Sequence, residues 1–145
     1  MNLLILGDIM GASGRKALSN KLPDLIQSKK IDFVIVNGEN ASDDGKGITK
    51  KITEELFKIG VDVITSGNHI WDKKETIDFI EKEERLLRPA NLAKGSPGRG
   101  YKIYSSKNNK FKIGVINLMG NVFMRKTEDV FITAREICNK IKLKK

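Results

Sequence analysis

The apolar positions of this chain change period along its length. Residues 2–7, Asn2-Leu3-Leu4-Ile5-Leu6-Gly7, form a mostly unbroken apolar run, which predicts a strand covered on both faces. Ile31-Asp32-Phe33-Val34-Ile35-Val36 and Val61-Asp62-Val63-Ile64-Thr65 predict a second and a third strand of the same kind. The stretches between them read as helices. Gly11, Ala12 and Gly14 open one, and Pro23 is expected to break it, standing in the first turn of a second helical segment that reaches about Lys29. Thr49 is a suitable N-cap for the next, with Ile52, Leu56 and Ile59 on one face and Gly60 at its end. A short helix over Glu75 to Glu83 is expected to turn Ile77 and Ile80 inward. Strand–helix–strand–helix–strand implies a parallel sheet with right-handed crossovers.

Beyond the loop Gly95-Ser96-Pro97-Gly98 the period shortens. Tyr101, Ile103 and Ser105 alternate with Lys102 and Tyr104, and Phe111, Ile113 and Val115 alternate after Lys107-Asn108-Asn109-Lys110. That pattern predicts a β-hairpin. Val130, Ala134, Ile137 and Ile141 then mark one stripe of a helix near the C-terminus. With 145 residues, one domain is the expectation for residues 1–145. There is no internal repeat, low-complexity tract or clear linker.

Composition narrows the class. Hydrophobic residues make up 39% and charged residues 31%, which describes a globular chain and excludes a disordered one. No apolar run approaches a membrane span. The opening apolar stretch is too short for a signal peptide and lacks its basic start. Lone Cys138 excludes an intramolecular disulfide and suits a reducing compartment, so the cytoplasm is the expected location. The net charge of +9 raises the question of nucleic acid. Lysine far outnumbers arginine, and asparagine and isoleucine are common; base composition of coding DNA produces the same mixture. A basic RNA-associated protein would interleave aromatic platforms with its charges, and aromatics are only 6% here.

Polar residues gather where the three strands end: Gly7-Asp8, Asn37-Gly38-Glu39-Asn40-Ala41, and Ser66-Gly67-Asn68-His69-Ile70-Trp71-Asp72. Open α/β sheets bind ligands at the carboxyl ends of their strands. Asp8, Glu39, Asn40, Asn68 and His69 would therefore meet in one place. Each alone is ordinary turn chemistry, and His69 alone reads as a structural histidine hydrogen-bonded in a turn; Gly67 and Asn68 before it and the two acidic strand ends make it a candidate. Gly7, Gly11 and Gly14 superficially suggest a phosphate loop, but the spacing is not G-x-G-x-x-G and no Walker lysine follows. Asp8 would also repel a phosphate unless a cation lay between them. Carboxylate and amide oxygens suit hard ions such as manganese or ferrous iron.

These blocks resemble the N-terminal motifs of the YmdB-type branch of the calcineurin-like metallophosphoesterases. Gly7-Asp8-Ile9-Met10-Gly11, Asn37-Gly38-Glu39-Asn40-Ala41 and Gly67-Asn68-His69-Ile70-Trp71-Asp72 occur in that family's order and spacing. Arg88-Pro89-Ala90-Asn91 and Gly114-Val115-Ile116-Asn117-Leu118-Met119-Gly120 fit it as well. The resemblance implies an α/β metallophosphoesterase-like sandwich: here a parallel βαβαβ sheet, a β-hairpin and a C-terminal helix. It implies a dinuclear phosphodiesterase acting on 2′,3′-cyclic nucleotides, with two divalent ions, iron or manganese. Asp8 and Asn40 would bind one metal, Glu39 would bridge both, and Asn68 would bind the second. His69 would be the general acid and not a ligand. Met10 stands where most calcineurin-like enzymes place a histidine, as the YmdB branch does.

The family draws further histidine ligands from a later region, including a His-x-His block, and His69 is the one histidine here. The expectation is therefore an incomplete domain, whose remaining ligands would come from a second copy or a complementing chain. An apolar patch or an unpaired strand edge should be left exposed. The alternative function is a catalytically impaired remnant that serves as a binding or regulatory module. Of the remaining residues, Trp71 is expected to pack beside the site, Asp43-Asp44-Gly45-Lys46-Gly47 to be a mobile turn or a substrate-facing loop, Arg15 to be a solvated helix residue, and Asp72 to cap the following helix. Cys138 needs no redox role.

Overall fold

The computed structural model describes residues 1–141. Ten elements follow one another: β1 (Leu3–Asp8), α1 (Gly11–Ser28), β2 (Phe33–Asn37), α2 (Lys50–Lys58), β3 (Val63–Thr65), α3 (Glu75–Ile80), β4 (Leu86–Leu87), β5 (Tyr101–Ser105), β6 (Lys112–Ile116) and α4 (Val130–Lys140). The first four strands form a parallel sheet in the order β1-β2-β3-β4, and β5 and β6 form a separate antiparallel pair. The three expected strands are present. The fourth, Leu86–Leu87, is a two-residue addition that extends the sheet by pairing Ile64 with Leu86 and Thr65 with Leu87.

Alternation along the strands assigns the two faces. Leu4, Leu6, Val34, Val36, Ile64 and Leu86 join Leu18, Leu22, Ile52, Leu56 and Ile80 in a core under the helices. Phe33, Ile35, Val63 and Leu87 pack on the other face against Ile113, Val115 and Tyr104 of the hairpin. Each such side chain, fully buried, contributes roughly 1.5–3 kcal/mol. The hairpin turns Ile113 and Val115 inward and leaves Ile103 38% exposed, because Lys102 pairs across from Val115 and Tyr104 from Ile113. The Tyr104 hydroxyl donates to the Glu84 carbonyl at 2.7 Å.

Several expectations are corrected. Pro23 does not break the helix; α1 runs through it. The proline removes one backbone donor, but the carbonyl this frees, that of Ser19, lies on an exposed residue where water can satisfy it. Leu18 and Leu22 on the other side are buried and hold the helix to the sheet. α3 is shorter than expected and leaves Ile77 47% exposed. Thr76 takes the inward place instead, its hydroxyl donating to the Ile48 carbonyl at 2.9 Å. Among the described residues β1 is covered on one face only. It is the edge strand, the hairpin does not reach it, and Leu3 and Ile5 are 38% and 66% exposed. An exposed apolar strand edge is thus present, as expected. No helix among the described residues is long and apolar enough to cross a membrane.

One half-buried carboxylate supports a stability prediction. Asp62 accepts the Val34 N–H at 2.8 Å, and burial pushes its carboxyl above the ordinary 3.8, outweighing that hydrogen bond and Lys107. A raised acid stabilises the fold in its protonated form, fully so below 3.8, and loses that contribution as pH rises through the raised value. Asp62→Asn keeps the acceptor and removes the charge. Its melting temperature should therefore equal or exceed wild type at pH 7, with the advantage shrinking towards pH 3; a lower value at pH 7 would contradict this account.

Candidate metal and acid site

The carboxyl ends of β1, β2 and β3 are joined by backbone hydrogen bonds. Ile9 N–H donates to the Asn37 carbonyl at 3.0 Å, Gly11 N–H to Asn40 at 2.9 Å, and Gly38 N–H to Thr65 at 2.9 Å. Between β1 and β2 the register slips: Leu6 faces Val36, yet Asp8, not Gly7, faces Asn37. Such a bulge re-aims the side chain beyond it, and the side chain here is Asp8.

All five candidates come together. Asn40 Nδ2 donates to Asp8 Oδ2 at 2.8 Å. Glu39 N–H donates to Asn37 Oδ1 at 3.0 Å, and the Glu39 carboxylate accepts the Asn68 backbone N–H. That carboxylate lies against Gly67: a Cβ there would stand 1.8 Å from Glu39 Oε2 and 2.4 Å from Cδ. The glycine at 67 is thus a steric requirement of Glu39, and not only of a turn. Burial first, and then the charge of Asp8, push the Glu39 carboxyl above its ordinary 4.5, against the opposing effects of His69, Asn37 and the Asn68 backbone.

His69 sits at the rim with its side chain 28% exposed, and its Nδ1 lies 2.7 Å from Asp72 Oδ2. Asp72 does not cap α3, whose N-cap is Lys74 with no side-chain hydrogen bond. Its carboxylate instead orients the imidazole and leaves Nε2 as the outward nitrogen. The His-x-x-Asp spacing was the available signal. Met10, 53% exposed, sits at the N-cap position of α1. Trp71 is half-buried against the core under the helices, as expected. Arg15 differs from expectation: it bonds the Ala41 carbonyl and, at 2.7 Å, Asp43 Oδ1. It pins the loop after Asn40 and is not merely solvated.

The side-chain oxygens gathered here could hold a hard divalent cation. The Asp8 carboxylate and the half-buried Glu39 carboxylate would gain from a positive charge between them, and the amides of Asn40 and Asn68 could add oxygens. Among the described residues no group of three or more His, Cys, Asp or Glu side chains is arranged to hold a metal ion by itself, so the amide oxygens of Asn40 and Asn68 would have to complete any binding.

The helix-covered parallel sheet, the opposed hairpin and the acid and amide side chains at the strand ends define a phosphatase-like α/β fold. A solved structure of a hypothetical protein from Thermus thermophilus superposes with a TM-score of 0.89 at 33% identity, covering 99% of this chain and 54% of that one. Another, described as a novel phosphatase from Mycoplasma pneumoniae, does so with 0.87 at 35% identity, covering 97% and 51%. The chain belongs to the YmdB-like protein family, which it matches over residues 4–145. A Bacillus subtilis (strain 168) relative, named 2′,3′-cyclic-nucleotide 2′-phosphodiesterase, is 44% identical over 137 residues, or 94% of this chain and 51% of the relative. The chain spans about half the length of the relatives it matches.

Proposed function

We propose that this site belongs to a metal-dependent phosphodiesterase whose substrate class is 2′,3′-cyclic nucleotides. The observation that carries the reading is the Glu39 carboxylate, seated on Gly67 beside Asp8 and facing His69. The name of the Bacillus relative supports the substrate class. Asp8 and Asn40 would hold one ion, Glu39 both, and Asn68 the other, with manganese or ferrous iron suited to these oxygens. Bound ions of this kind lower the pKa of water and neutralise charge on a phosphoryl group.

The protein's own part follows from its geometry. The oxygen of a water adds to phosphorus as its proton passes to solvent, the bond to one ribose oxygen breaks, that oxygen takes a proton from His69 Nε2, and His69 regains a proton from solvent. Asp72 holds Nδ1 and fixes the orientation of the ring. A second reading, a catalytically impaired or inactive binding or regulatory module, is favoured by one observation: among the described residues no group of three or more His, Cys, Asp or Glu side chains is arranged to hold a metal ion.

Purified chain should bind Mn²⁺ and hydrolyse a chromogenic phosphodiester and 2′,3′-cyclic AMP in its presence. Asp8→Asn and His69→Ala should each lower turnover by about 10²-fold or more. Wild-type chain that neither binds Mn²⁺ nor turns over would support the second reading.

A further inference from the structure

The loop that leaves Glu39 and Asn40 is closed on itself. Ser42 N–H donates to the Gly47 carbonyl at 3.0 Å, Gly45 N–H to Ser42 at 2.8 Å, and Gly47 N–H to the Glu39 carbonyl at 2.6 Å. It is therefore not a mobile turn; it is a compact shelf that fixes the backbone of Glu39. This shelf rests on the segment that leaves Asn68 and His69. Gly47 has φ +74, and a Cβ there would stand 2.8 Å from the His69 carbonyl and 3.2 Å from Lys73 Cγ. Lys73 Nζ reaches Asp44 Oδ2 at 2.6 Å. Further along, Thr76 bonds the Ile48 carbonyl at 2.9 Å and Glu75 Oε1 accepts the Lys50 N–H at 3.1 Å.

We propose that Lys73 is a positioning residue: its ion pair with Asp44 locks the shelf behind Glu39–Asn40 to the segment behind Asn68–His69. The ligand carboxylate and the acid then keep one spacing. The inference rests on the function proposed above. The pair is well placed for this. The Lys73 side chain is 24% exposed, lies along Gly47, and ties Asp44 in the middle of the first loop to the end of the second, just ahead of α3. Thr76 and Glu75 fix only the far end. Placement errors of about 1 Å between reacting groups cost up to about 10²-fold in rate, whereas a partly exposed ion pair contributes little to global stability.

The test uses the whole chain with Lys73→Met, Lys73→Arg, Asp44→Asn and the Met/Asn double variant. Lys73→Met should lower kcat about tenfold with KM within about twofold, and Lys73→Arg should restore most of it. Asp44→Asn should match Lys73→Met, and the double variant should be no worse than either. Melting temperatures should move by only a few degrees. A readout without turnover uses the single tryptophan, Trp71: Mn²⁺ titration followed by its fluorescence should show several-fold weaker binding in Lys73→Met and recovery in Lys73→Arg. Unchanged kcat and Mn²⁺ affinity would overturn the proposal, as would a loss confined to KM. If wild-type chain binds Mn²⁺ without turnover, the proposed reaction fails while the titration still decides the strut.

Discussion

Gly67→Ala is expected to remove at least about 10²-fold of Mn²⁺-dependent phosphodiester hydrolysis and to weaken Mn²⁺ binding in parallel. The added Cβ would lie 1.8 Å from Glu39 Oε2 and 2.4 Å from its Cδ, far inside contact distance, so the carboxylate or the Gly67 backbone must move. The carboxylate is the freer of the two, because the backbone just ahead of Gly67 is tied down. Ser66 N–H and Oγ both bond the Leu87 carbonyl, at 3.0 and 2.9 Å, and Asn117 Nδ2 donates to the Ser66 carbonyl at 2.8 Å. Displacing Glu39 swings it away from the Asn68 N–H and from its place beside Asp8, and preorganised charge is lost where it matters most. Because the displaced group is the flexible end of a half-buried side chain, the melting temperature should fall by only a few degrees. Glu39→Ala combined with Gly67→Ala separates the two effects: the double variant should regain melting temperature but not Mn²⁺ binding. An active, metal-binding Gly67→Ala would show that Glu39 is not the bridging carboxylate.

The parallel sheet was legible because its strands are long apolar runs, and the polar residues that interrupt those runs are the site. Asp8, Glu39, Asn40, Asn68 and His69 could be gathered from the topology alone, since parallel strands deliver their carboxyl ends to one edge. The errors share a physical origin. β4 is two residues, too short to carry a period. Pro23 looked like a breaker because local propensity says so, but the burial of Leu18 and Leu22 outweighs one lost hydrogen bond. Ile77 looked like a core residue because it is apolar, yet Thr76 has the hydroxyl that a buried carbonyl requires. β1 looked buried on both faces because composition does not report how far the hairpin extends. Arg15, Asp72 and Lys73 were out of reach for another reason. Their roles are set by partners 28, 3 and 29 positions away, and only the middle spacing could have been seen in the sequence.

That middle spacing supports the second large prediction. Asp72→Asn should lower kcat by about 10- to 100-fold with little change in KM, and His69→Ala by about 10²- to 10⁴-fold. The expected loss for Asp72 is smaller than that for a buried triad aspartate, about 10⁴-fold, because both partners are partly exposed, at 28% and 40%. Water can replace some of what the carboxylate does. An asparagine also offers a donor as well as an acceptor, so it no longer dictates which ring nitrogen carries the proton. The chain has one histidine, so its ring nitrogens can be read without assignment. In the wild type, ¹⁵N shifts of the neutral ring should report a single tautomer protonated at Nδ1; in Asp72→Asn they should move towards a mixture. If Asp72 acts only through the imidazole, then Asp72→Asn on a His69→Ala background should cost nothing more. An additive loss in that double variant would mean that Asp72 reaches the substrate or the metal by itself, and unchanged ¹⁵N shifts would mean that Asp72 does not set the tautomer.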